Sequence, residues 1–148
     1  MKFLPLILFG LVASAGGAVA AMSSAPTMFT PSSIHWVAQT GPAKGTATVN
    51  LVGDPAKPGN AIMRVKMPDG FVNQPHYHAH DEYITVMQGT LLFGTGDTVD
   101  KSKAKVLPTG SFIAVPAGVH HWSVAQGATI EQVGGPGPLN NIPVKGSM

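Results

Sequence analysis

Short apolar runs rich in β-branched residues alternate along this chain with turn clusters of glycine, proline and aspartate. The clusters at 53–55, 68–70 and 116–118 are typical of tight turns. Many short runs at this spacing indicate a sandwich or barrel, and no stretch sustains the 3.6-residue period of a helix. The pattern therefore predicts an all-β fold. Its strands are expected at 34–37, 46–52, 61–67, 83–87, 90–93, 105–107, 111–115, 121–124 and 128–133.

The beginning of the chain has a different pattern. Lys2 precedes a nearly continuous apolar run at 3–12, and small residues follow as far as the Ala-Val-Ala at 18–20. This order is typical of a cleaved export signal. An uncleaved membrane anchor is the alternative, but an anchor needs about 20 apolar residues and this run breaks at Gly10. We therefore expect a signal peptide at 1–20 and a periplasmic or secreted mature protein that is not attached to a membrane.

The remaining chain is organised as one domain, because 148 residues suit a single unit of about 100–200 residues. We expect a flexible leader at 21–33, a barrel at 34–133 and a Gly/Pro-rich tail at 134–148 that runs over the surface or across a neighbouring subunit. Small β-folds must protect the edges of their sheets. The free run at 34–37 is expected to extend a sheet edge in its own or a partner's subunit, which favours a homodimer.

Composition narrows the function classes. Charged residues are 11% of the chain, against about 25% in typical soluble domains. Nine Lys and Arg against seven Asp and Glu leave a net charge of +2, without the basic cluster that nucleic-acid binding requires. The chain has no cysteine, which excludes a disulfide framework and a thiolate metal site.

Five of the six histidines lie in two clusters, His76/His78/His80 and His120/His121. Residues two apart on a strand project from the same face, so the first two histidines can share one ion. Glu82 opens the next apolar run, and a hairpin could fold it back over the same point. With His121, these residues make a nitrogen and oxygen donor set suited to Fe(II), Mn(II), Ni(II), Cu(II) or Zn(II).

Two alternatives stay open from the residues alone. The histidines could form a surface patch that binds no physiological ion. In the other alternative, His76, His78 and His80 line one strand face and bind an ion together, and Glu82 lies outside the site.

The spacing of these residues extends into two longer motifs. The first motif spans 70–89, where gaps of five, one, three and six residues separate Gly70, His76, His78, Glu82 and Gly89. The second motif spans 110–125, where gaps of five, one and two residues separate Gly110, Pro116, Gly118 and His121. Both resemble the two signature motifs of the cupin family. The second motif departs once, with Ala125 where the family has asparagine. The chain is thus similar to a small, single-domain cupin of the bacterial type.

The resemblance implies an all-β jelly-roll barrel, also called a double-stranded β-helix. It implies one divalent metal ion inside the barrel, with His76, His78, Glu82 and His121 as ligands. His80 and His120 are then expected beside the metal rather than on it. In the pocket, Gln74 shares the parity of the ligand histidines and could contact a bound molecule. Either Ile113 or Phe112 should face the cavity.

Cupins differ widely in function, so the resemblance leaves three possibilities. The first is a metal-dependent oxygenase-type enzyme acting on a small molecule. The second is a non-catalytic protein that binds a small molecule or a metal. The third is a metal-assisted isomerase or decarboxylase, which needs another acid or base. Outside the motifs, Glu131 is the only carboxylate in a predicted strand, so Glu131 or the extra histidines would have to supply it.

Overall fold

The computed structural model describes residues 25–146, so the predicted signal peptide lies outside the described residues. No helix within this part of the chain is long and apolar enough to cross a membrane. Nine strands and three short 3-10 turns make up its regular structure. The strands are β1 (Val37–Ala38), β2 (Ala47–Val52), β3 (Gly59–Met67), β4 (Val72–Tyr77), β5 (Glu82–Thr95), β6 (Lys105–Pro108), β7 (Phe112–Val115), β8 (His121–Gly137) and β9 (Ile142–Pro143).

The two longest strands, β5 and β8, pair with each other antiparallel over almost their whole length and run through both halves of the sheet. In one half, the end of β8 and the start of β5 are flanked by β3 and β7. In the other half, the start of β8 and the end of β5 are flanked by β4 and β6. The edges are extended by β2 and β1 beyond β3, and by β9 beyond β4. This arrangement confirms the expected all-β jelly roll.

Where the sequence pattern predicts four separate runs at 83–87, 90–93, 121–124 and 128–133, the structure has only β5 and β8. The turn residues between these runs lie at bends within the long strands, where the register of the β5–β8 pairing shifts around Gln88. Gly89 is required there, because its φ is +78° and a Cβ atom would lie 2.6 Å from the carbonyl oxygen of Ala128. The bend allows one pair of strands to serve both halves.

The core lies between the two halves. Met67, Ile84 and Val86 from one half pack in the same buried cluster as Leu91 and Ala125 from the other. Burial of these apolar side chains is the main stabilising contribution to a fold of this size.

The structure also shows which of two neighbouring residues of β7 faces the core. Ile113 pairs with the buried Ile84 and packs against the core, whereas Phe112 is 62% exposed and stacks on Tyr83 outside the barrel.

The segments before and after the barrel motifs are partly ordered. β1 pairs with β2 of the same chain, and a 3-10 turn at Pro31–Ser33 lies within the predicted leader. Beyond the barrel, β8 continues to Gly137, four residues past the end of the predicted strand at 128–133. The next residues, 139–144, form a segment that we call the strap. Its Leu139 and Val144 side chains are buried, so this part of the predicted tail packs on its own barrel.

Candidate metal centre

Three histidines from two neighbouring strands meet inside the barrel. His76 lies near the end of β4, His78 directly follows the last residue of that strand, and His121 begins β8 and is paired with His76. All three are at least 96% buried, and a nitrogen atom from each lies within 4.8 Å of the others. Buried imidazoles at this separation form a site for one metal ion.

Each imidazole is held by a hydrogen bond at its other ring nitrogen. The Nδ1 atoms of His76, His78 and His121 contact the carbonyl oxygens of Gln74, Asn140 and Val119 at 2.6, 3.1 and 2.9 Å. A carbonyl oxygen only accepts, so each Nδ1 donates a hydrogen. The neutral rings therefore keep an unprotonated Nε2 with a free lone pair. This outer hydrogen bonding is typical of histidines that bind metals.

Glu82 reaches the same point from the first residue of β5. One carboxylate oxygen lies 3.3 Å from His78 Nε2, and the other lies 3.1 Å from His121 Nε2. Both Nε2 atoms and Glu82 Oε2 are buried without a hydrogen-bond partner among the described residues. Ligands at right angles on an ion with bonds of about 2.1 Å lie about 3 Å apart. The orphaned atoms therefore fit a divalent ion bound between them.

The charges of the site suit a cation as well. Burial by itself raises the pKa of Glu82, but the contacts with His121 and His78 outweigh it and lower that pKa from 4.5 to about 2. Burial, followed by the nearby His121, lowers the pKa of His76 from 6.5 to about 4. At neutral pH the carboxylate is ionised and the His76 ring is neutral, which are the forms that bind metals.

The structure thus brings the four predicted ligands together, although not by the predicted route. β4 does not pair with β5; its two edges are taken by β8 and β9. Glu82 reaches the histidines because β5 passes through the other half of the sheet, across the barrel. Binding of one ion by all four residues stays a prediction, which substitution tests.

The other predicted neighbours lie outside the cluster. The Gln74 side chain is exposed, because the register of β4 shifts between Asn73 and His76 and reverses the expected parity. Gln74 contributes to the site only through its carbonyl oxygen, which accepts a hydrogen bond from His76 Nδ1. His80 is half-buried in the loop after β4. His120 Nδ1 contacts Asp97 at 2.6 Å.

A cavity of about 400 Å³ extends from Glu82 along the inside of the barrel. Its inner wall is largely apolar, and among the described residues Glu131 is the only other ionisable residue that lines the cavity. The strap closes part of it through Leu139, Asn140 and Asn141. The lining on the barrel side includes Met63, Val65, Met67, Phe71 and Val133.

Two contributions to the site carry no signal in the sequence pattern. The carbonyl oxygen of Asn140 accepts from His78 across 62 residues, and any residue could supply that carbonyl. The ring of Phe93 stacks on His121 with centroids 5.6 Å apart and covers one face of the imidazole. Its place at the end of a predicted strand gives no signal of this contact.

Comparison with known proteins agrees with this geometry. The sequence profile of the family described as Cupin matches residues 46–133, more than half of the chain. A germin-like protein 3-7 of Oryza sativa subsp. japonica is 33% identical over 100 residues, which cover 59% of this chain. The matched region spans only 43% of that relative's length.

Solved structures show the same fold at low sequence identity. The polyketide cyclase RemF from Streptomyces resistomycificus superposes with a TM-score of 0.66 at 17% identity, covering 81% of this chain and 86% of its own. KdgF from Halomonas sp. has a TM-score of 0.59 at 21% identity, covering 75% and 95%. At these identities the similarity concerns the fold alone.

Proposed function

The chain belongs to the cupin family, and from this premise we propose that it is a metal-dependent enzyme of the oxygenase type that acts on a small molecule. One observation carries the proposal: Glu82, which contacts the buried histidine cluster, also lines a cavity along the inside of the barrel whose inner wall is largely apolar. Cavities with an apolar lining and a few convergent polar groups are the usual sites of small-molecule chemistry.

His76, His78, His121 and Glu82 would hold the ion. A bound ion of this class supplies a Lewis acid and, if it is redox-active, electrons for reaction with oxygen. The protein residues have separate tasks. The carbonyl oxygens behind the imidazoles fix the rings, and the apolar wall excludes water from the molecule bound beside them. With these four residues as its protein ligands, such an ion could still accept donor atoms from a small molecule.

A second candidate function is favoured by Glu131. A metal-assisted isomerase or decarboxylase needs an acid or base in addition to the metal ligands. Glu131 lines the cavity, is 5% exposed and is not part of the histidine cluster, so it meets this requirement. The remaining possibility, non-catalytic binding, predicts ligand binding without turnover.

The experiment starts with metal analysis of protein prepared without an affinity tag. Protein loaded with Fe(II) and protein loaded with Zn(II), as the redox-inactive control, are then given a panel of small hydroxy and keto acids. The oxygenase proposal predicts oxygen consumption with at least one compound, by the Fe(II) form only. Product formed without oxygen uptake would favour the isomerase or decarboxylase. Binding without any product, across both metals, would overturn an enzymatic role.

We also propose export and self-association, which the sequence indicates. A depression of about 550 Å³ lies on the outer face beside Tyr83 and Phe112, away from the histidines. Exposed aromatic side chains are enriched where proteins associate, which supports a homodimer. Sedimentation that gives only a monomer at micromolar concentration would contradict the dimer. N-terminal sequencing of protein from the periplasm or the medium tests cleavage after Ala20.

A further inference from the structure

Glu131 is a buried carboxyl group in an apolar wall. It lies in the second half of β8, directly opposite Val65 of β3 on one side and Val86 of β5 on the other. Directly paired residues of antiparallel strands project from the same face, so both neighbours surround the carboxyl with apolar surface. The Glu131 side chain also lines the cavity that reaches Glu82.

One oxygen of this carboxyl has no partner. Glu131 is 5% exposed, and its Oε2 atom makes no hydrogen bond with any described residue. A buried polar group without a partner costs about 1–3 kcal/mol. An apolar residue would fill the same position without that cost, and both paired neighbours are valine. The cost is offset if a bound molecule completes the hydrogen bond.

We propose that Glu131 is a ligand-binding residue, which donates a hydrogen bond to an acceptor oxygen at one end of a small molecule whose other end binds at the metal centre. The proposal deepens the proposed function and rests on it. The expected ligands are small carboxylic acids with a second carboxylate or carbonyl group. Glu131 then selects for the second oxygen function, while the metal centre binds the first.

The protonation of Glu131 supports the direction of this hydrogen bond. Burial, and then the negative charge of Glu82, raises the pKa of Glu131 from 4.5 to about 8. Within residues 25–146, Glu82 is the only other ionisable residue that lines the cavity, and the partners facing Glu131 from β3 and β5 are the two valines. At neutral pH the group is a carboxylic acid, which donates to carboxylate or carbonyl oxygens. Hydrogen bonds with one charged partner are about twice as strong as neutral ones.

The sequence offers a direct probe, because Glu82 and Glu131 are its only two glutamates. Protein labelled with ¹³C at the glutamate carboxyl carbon gives two carboxyl signals. The E131Q variant assigns them by the loss of one. Zn²⁺ should shift the Glu82 signal. Dicarboxylates from malonate to adipate, compared with monocarboxylates of equal carbon number, should then shift the Glu131 signal of the Zn²⁺-loaded protein.

Variants of Glu131 test whether this residue causes a preference for dicarboxylates over monocarboxylates. We expect at least one dicarboxylate to bind about tenfold more tightly than its matched monocarboxylate, which corresponds to about 1.4 kcal/mol. E131Q keeps a donor and should retain this preference, whereas E131L should lose it, with the Glu82 signal as the reporter of binding. Q132L, at the next position of β8 and on its other face, is the matched control and should behave as the wild type.

Each outcome is decisive. A Glu82 signal that ignores Zn²⁺ would overturn the proposed metal centre, and the inference with it. A Glu82 signal that responds to Zn²⁺, together with a Glu131 signal that ignores every dicarboxylate, would overturn the inference alone. The response of the Glu131 signal to dicarboxylates is measured on the wild-type protein and needs E131Q only for assignment, so this test decides the question even if E131L fails to fold. An undiminished dicarboxylate preference in folded E131L would also refute the role of Glu131.

Discussion

Replacing Glu131 by glutamine should remove a pH dependence of stability that this residue imposes on the fold. In the folded protein its pKa is raised from 4.5 to about 8, first by burial and then by Glu82. The unfolded chain releases the proton near pH 4.5, whereas the folded protein keeps it up to about pH 8. The contribution of Glu131 to the free energy of unfolding is therefore fully present below pH 4.5. It is lost progressively as the pH rises from 4.5 to 8. Glutamine does not titrate, so E131Q lacks this loss.

The magnitude follows from the two pKa values. One pH unit between them corresponds to about 1.4 kcal/mol, so the full loss between pH 4.5 and pH 8 is about 5 kcal/mol. Small domains are commonly stable by about 5–15 kcal/mol, so the effect is a large fraction of the total. At pH 5 the wild type and E131Q should differ little in this contribution. At pH 8 the variant should have gained several kcal/mol relative to the wild type.

Urea unfolding of chelator-treated protein at pH 5, 6, 7 and 8 measures this difference. The buried Trp122 provides the fluorescence signal, and linear extrapolation gives the free energy of unfolding. All other ionisable groups are common to both proteins, so their contributions cancel in the difference. The Glu131 carboxyl signal of labelled wild-type protein should titrate near pH 8. Parallel stability curves for the two proteins, or a carboxyl that titrates near 4.5, would refute the reasoning.

Three other predictions follow from the site and the packing around it. His121→Ala should empty the metal site, because it removes one ligand and the chain has no cysteine thiolate to replace it, whereas His80→Ala should leave the metal content unchanged. Metal analysis of both variants tests this, and the reverse result would reject the ligand set. Gly94→Ala should destabilise the fold by about 3 kcal/mol, because a Cβ atom there would overlap the buried indole ring beside it. Gly134→Ala, the control, meets only contacts of 3.4 Å and longer and should cost less than about 1 kcal/mol. Thermal unfolding of both variants measures these costs, and equal costs would contradict the packing argument. Leu139→Ala should weaken Zn²⁺ affinity about tenfold by loosening the strap that holds the carbonyl behind one imidazole; chelator competition measures it, and unchanged affinity would show that the strap does not position that ring.

Much of the site was predictable because both motifs combine ligands with the turns that present them. His76 does lie on a strand, with His78 one residue past its end, and the turn at 116–118 does precede His121. The same local patterns could not show that β5 and β8 each run through both halves of the sheet. A glycine inside a bent strand and a glycine in a turn produce the same sequence pattern.

Contacts made by the backbone were less predictable still. The parity argument for Gln74 failed because strand alternation holds only while the register is unbroken, and β4 shifts its register just before His76. The strap lies in the tail at 134–148, which its glycines and prolines predicted to run over the surface or across a neighbouring subunit. Its packing depends on two apolar side chains, Leu139 and Val144, which are too widely spaced to form a strand pattern.

The origin of the three histidines on distant parts of the chain has a mechanical consequence. An ion held by His76, His78 and His121 would link β4 to β8, closing a covalent loop of 45 positions between residues 76 and 121. An ion that binds only the folded site stabilises it by mass action, by about 4 kcal/mol when the free ion is at 1,000 times its Kd. This chain has no cysteine with which to make a disulfide. The ion would therefore act as its removable cross-link, and a chelator would destabilise this protein much as a reductant destabilises a disulfide-bonded one.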